Sequence, residues 1–144
     1  VNDTYGNYGS ASTGFEVKAV PTRIANALST QSVKPEQAFV GYVSVYDQAD
    51  DKMGAIVDIK VTDPAGSVVL SASNRTDANI TLSFPKGQKP GKYALTSSAL
   101  GLIGLNTLLV EEVESVNVTF ANGTVFLDNT GNVDYSKAVN ITLS

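Results

Sequence analysis

Six asparagines open an Asn-x-Thr triplet: Asn2, Asn74, Asn79, Asn117, Asn122 and Asn140. This triplet is the acceptor sequence for N-linked glycans. The chain holds 13 Thr in 144 residues, so chance places one two positions after an Asn roughly once in eleven trials. Six of the eleven asparagines meet the pattern, always with Thr and never with Ser. The excess points to a surface built to carry covalent glycans, and so to a chain that has crossed a membrane to the cell exterior.

Other residues capable of chemistry form weaker patterns. Asp47, Asp50 and Asp51 could gather an oxygen-ligated cation such as Ca²⁺, but the spacing lacks the Gly and distal Glu of an EF-hand and reads as a solvated acidic loop. Glu111, Glu112 and Glu114 lie in one stretch, where carboxylates do not face each other across a sugar as a glycosidase requires. Gly101-Leu-Ile-Gly104 lacks the Lys and the following helix of a phosphate loop and reads as a kinked core strand. Six tyrosines could form a sugar platform, but Tyr42 and Tyr46 read as sheet-surface packing. Histidine and cysteine are absent, which removes Ser-His-Asp and Cys-His catalysis, thiolate metal sites and disulfides. No catalytic, metal or cofactor-binding residue is expected, and stability must come from packing, oligomerisation or another cross-link. An isopeptide bond is one such cross-link, and sequence assigns no residues to it.

Charged residues make up 17% of the chain, against about 25% in ordinary domains. Ser, Thr and Asn replace them, with glycans to supply solubility. A net charge of −4 without a basic cluster argues against nucleic acid or an anionic membrane as partner. The longest apolar run, Ala99 to Val110, is far short of the roughly 20 residues of a membrane-spanning helix. With sequons present and Val1 first, the expectation is a mature extracellular chain whose signal peptide has been removed.

The elements that must position these groups read as strands. Residues 1–14 carry too little apolar surface to order themselves. Phe15–Val20 alternates and stops at Pro21, reading as a strand; Thr22–Leu28 is a second extended stretch. Strands follow over Ala38–Tyr46, Ala55–Thr62, Ser67–Ala72, Asn79–Phe84, Lys92–Ser97, Ser115–Phe120, Thr124–Leu127 and Lys137–Ser144. Asp63-Pro-Ala-Gly66 and Asn122-Gly123 are hairpin turns. In the sequons at Asn79, Asn117 and Asn140 the middle residue is Ile80, Val118 or Ile141; a strand would turn it inward and present Asn and Thr outward. Asn122 falls in a turn and Asn74 in a loop. The fold class is an all-β, Ig-like or pilin-like β-sandwich of about seven to nine strands with an extended N-terminal tail. Residues 1–20 form a tail and 21–144 a head domain.

The tail, the Ser/Thr/Asn-rich strands and the six sequons together resemble subunits of archaeal surface filaments built by donor-strand complementation, the glycosylated threads. In architecture the chain also resembles bacterial type 1 pilins, without the disulfide many of those carry. The resemblance implies a head-to-tail homopolymer at the cell surface serving adhesion or biofilm formation. It also implies a tail acting as donor strand, through Val1, Tyr5 and Tyr8 or through Phe15, Val17 and Ala19. The receiving groove would lie beside Val139–Leu143 or along Leu100–Val110. The alternative is an Ig-like extracellular module that binds glycans or associates with a surface layer; a small hydrolase stands third.

Overall fold

A computed structural model describes residues 9–142. The described residues contain no helix; of their eleven strands, nine build an all-β sandwich and two form a separate hairpin. Nine have five or more residues: β1 Pro21–Leu28, β3 Ala38–Asp47, β5 Ile56–Thr62, β6 Val68–Arg75, β7 Asn79–Ser83, β8 Gly91–Ala99, β9 Leu102–Val110, β10 Val116–Ala121 and β11 Thr124–Asn129. Two are short pairings, β2 Ser32–Val33 and β4 Lys52–Met53.

One sheet is centred on β3, with β1 along one edge and β7 then β4 along the other. The second runs β2-β9-β8-β5-β6. All pairings are antiparallel except β2 with β9, so the chain's first extended stretch contributes to both sheets, an Ig-like arrangement. Alternation explains the pairing: Phe39, Val43 and Val45 of β3 and Val57, Ile59 and Val61 of β5 are all at most 1% exposed, because every second side chain enters the space between sheets. Phe84 stacks on Phe39 and tilts against Tyr93 at 5.1 Å between centroids. The buried Tyr93 hydroxyl donates to Lys89 O and accepts from Gln88 Nε2.

The register also defines two ends. At one, Pro21 pairs with Asp47, and the β8–β9 turn lies at Leu100-Gly101. At the other, Gly91 pairs with Val110, Glu111 N bonds Val33 O, and Lys34–Gln37 turns into β3.

Several expected elements fall elsewhere. Phe15–Val20 is not a strand: among the described residues none pairs with it in a ladder, residues 9–20 are exposed, and β1 begins at Pro21 itself. Residues 137–142 are likewise outside any strand. Asn74 sits on β6 opposite Val57, not in a loop, because β6 continues to Arg75. Gly101 belongs to a turn in which Leu100 and Gly101 both have positive φ. Gly104 is the close approach in β9: a Cβ there would lie 2.7 Å from Ser97 Oγ. Val118 is 41% exposed, since the β10–β11 hairpin forms its own two-stranded sheet outside the sandwich.

Candidate functional site

The sequence-predicted sites divide between two ends and one edge of the sandwich. Val1, Asn2, Tyr5 and Tyr8 lie outside the described residues. Phe15 and Val17 are 87% and 70% exposed, and Ala19 is exposed beside them. Gln48 clamps the segment just before β1: its Oε1 accepts from Val20 N at 2.6 Å and its Nε2 donates to Lys18 O at 3.0 Å. The clamp fixes where the segment leaves the sandwich, at the Pro21–Asp47 end.

The hairpin hangs from the opposite end. Its base is tied by Thr130 N and Gly131 N to Ser115 O and by Asn132 N to Val113 O. Asn132 then bolts it to the sandwich: Oδ1 accepts from Val113 N at 2.6 Å, and Nδ2 donates to Gln88 O at 2.9 Å and to Glu111 O at 2.8 Å. Gly131 is required there, because an added Cβ would fall 2.0 Å from Val113 O. In the antiparallel register Val118 faces Leu127 and Phe120 faces Val125. Opposed residues share a sheet face, so with Val116 these side chains make one apolar face. That face is largely uncovered: Phe120 and Leu127 are 59% and 58% exposed.

Beside it runs the arm of residues 133–142, which Glu114 fixes. Its carboxylate accepts from Ser136 N at 2.9 Å and Ser136 Oγ at 3.0 Å and pairs with Lys137 at 3.2 Å. The Ser136 amide, with Lys137 and the Ser136 hydroxyl, holds Glu114 below the usual carboxylate range. Between hairpin and arm lies a cleft of about 580 Å³, lined by Val116, Leu127, Tyr135 and Val139 among others. The second expected groove, along β9, offers Ile103 and Leu105 at 67% and 73% exposure on the outer face of its sheet.

The described sequon asparagines are all exposed. Asn79 and Thr81 flank buried Ile80 on β7, as the alternation predicts. Asn122, with φ of 52°, and Gly123 close the hairpin. Asn117 lies on the hairpin face opposite Val118 and Leu127; Asn140 is on the arm. Asn74 differs, because its Thr76 is buried, donating to Met53 O and accepting from Ala55 N.

The carboxylates seen in sequence do not converge. Asp47 caps its own loop by accepting from Ala49 N and Asp51 N. Asp50 pairs with Arg23, whose guanidinium lies 3.8 Å over the Tyr46 ring. Glu111 takes the Ser32 hydroxyl. Among the described residues no group of three acidic side chains could hold a metal. Sequence reading missed the best-developed polar cluster: Asp77, at positive φ, accepts from Ser44 Oγ (2.5 Å), Tyr42 OH (2.9 Å) and Lys52 Nζ (2.9 Å). The Ser44 hydroxyl first, then Lys52, lowers its pKa. This cluster links β3, β4 and the β6–β7 turn; no local motif signals it. No protein-family model matches the chain, and a search of curated proteins finds no match.

Proposed function

We propose that the chain is a structural subunit of an extracellular, N-glycosylated filament, polymerising head to tail by lending the segment before Pro21 to a second copy. One observation carries the reading: Phe15 and Val17 alternate like a strand yet are 87% and 70% exposed, and among the described residues no strand pairs with them. An apolar alternating segment left in water is stabilised by β-augmentation, in which backbone groups pair with another chain and alternate side chains enter its pockets. Such a contact is heterologous and does not close, so it yields a fibre. Exposed sequon asparagines agree with a glycan coat, and adhesion or biofilm formation is the role such a fibre would serve. The reading assigns the chain no catalysis and no cofactor beyond covalent glycans.

The sandwich itself encloses fifteen buried apolar side chains between its two sheets without a donated strand. That favours a head able to fold alone, which also suits the second reading, an extracellular module binding glycans or a surface layer. Electron microscopy of the purified glycoprotein separates them. Fibres lost on deleting residues 1–20 support polymerisation; uniformly monomeric material supports the module.

A further inference from the structure

We infer that the cleft between the β10–β11 hairpin and the 133–142 arm is the acceptor for residues Phe15–Val17 of a second copy. The inference rests on the polymerisation reading and specifies its receiving site.

The first argument is reach. The segment leaves the sandwich at the Pro21–Asp47 end, while the hairpin is bolted beyond Val110 at the other. The ten residues of β3 that separate the ends span about 30 Å at 3.3 Å each. Phe15 lies five residues before the clamped Val20, so it extends at most roughly 18 Å from that clamp. That falls well short of the Asn132 mount at the other end. A second copy stacked end to end brings the two together, and each added copy presents the same pair again.

The second argument is chemical fit. The cleft has apolar Val116, Leu127 and Val139 along its walls, with Tyr135 and the polar Asn129, Asp134 and Lys137 beside them, and Val118 and Phe120 continue the apolar hairpin face. The arm forms no strand, so an entering segment can pair its backbone with residues 137–141 while Phe15 and Val17 turn onto the hairpin. Ala19 lies between the two residues held by Gln48 and stays with its own head. An isolated two-stranded hairpin with one apolar face is marginal in water, and this insertion would give it a second layer.

The β9 groove serves less well. A strand added there extends a sheet whose inner face is already filled by Leu108 and Val110, each 1% exposed. At Gly104 that strand also lies against β1, with Asn26 Nδ2 3.0 Å from where a Cβ would be.

The absence of cysteine permits a direct test. In the full chain, Val17→Cys with Leu127→Cys is compared under oxidation with Val17→Cys with Leu105→Cys, both at exposed positions. A ladder of disulfide-linked oligomers, at least about tenfold stronger for the Leu127 pair and collapsed by reductant, is the expected result; Val118→Cys in place of Leu127→Cys should reproduce it. A ladder from the Leu105 pair alone overturns this site and leaves polymerisation standing. No ladder from any pair, with no fibres of the unsubstituted chain by microscopy, overturns both. Fibres without a ladder from either hairpin cysteine overturn the site alone.

Discussion

Asn132→Ala tests whether the hairpin is mounted as described. The substitution removes three hydrogen bonds, to Val113 N, Gln88 O and Glu111 O. At about 1 kcal/mol net for each, the mount loses about 3 kcal/mol, and 1.4 kcal/mol is tenfold, so opening should become roughly a hundredfold more frequent. The loss should stay local. Asn132 touches only the rim of the sandwich, and none of the core side chains packs on the hairpin. A two-stranded hairpin released from its mount is only marginally stable, so its cross-strand amides from Val116 to Asn129 should exchange with solvent about a hundredfold faster. Amides of β3, β5 and β8 should keep their rates, and the main melting transition should move by less than about 2 °C. Hydrogen exchange with mass spectrometry resolves the two regions. Uniform acceleration of core and hairpin would show that they unfold together and refute the mount; hairpin rates changed by less than about threefold would show that these bonds contribute nothing. Fibre formation should weaken in step with hairpin opening.

Val17→Ser should leave head stability within about 0.5 kcal/mol, because the side chain is 70% exposed, yet abolish fibres by microscopy; a loss of thermal stability would mean that the segment belongs to its own head. Glycan transfer to already folded, bare protein should modify Asn79 and miss Asn74, since Thr76 is buried and doubly bonded while Thr81 is exposed; equal occupancy by peptide mapping would contradict this. Glu114 has a lowered native pKa, set first by the Ser136 amide, so its hold on the arm is complete above the ordinary carboxylate value and is lost as pH falls through the lower native one. Protection of the Ser136 amide, taken relative to its intrinsic exchange rate at each pH, should therefore be full at neutral pH and fall only in stronger acid, and Glu114→Gln should remove that dependence. A chelator should leave the melting temperature unchanged; a fall would point to Asp47, Asp50 and Asp51 as ligands.

The strands with one buried face were legible in the chain. Phe39, Val43 and Val45, then Val57, Ile59 and Val61, then Ile80 and Leu82 alternate because each second position must enter the core. The turns were legible too: Gly66 N bonds Asp63 O as the Pro-Ala-Gly sequence requires, and Asn122 and Gly123 take the positive φ that a two-residue hairpin demands. These are local properties, set by steric limits and by hydrophobic period.

Phe15–Val20 and Lys137–Ile141 alternate equally well and form no strand, because a strand is half of a pairing and its neighbour is chosen by the whole fold. The same holds for the apolar face of the hairpin: alternation turned Val118 to one face, but only the bolt at Asn132 places that face beyond the sandwich, uncovered. The cluster at Asp77 draws on residues 42, 44, 52 and 77, which come together only when β4 and β7 settle along β3. Period and turn chemistry belong to short stretches of chain and are read from it directly. Which edges are paired, which faces are covered and which ends point apart depend on contacts between distant residues, and those exist only after the sheets have packed.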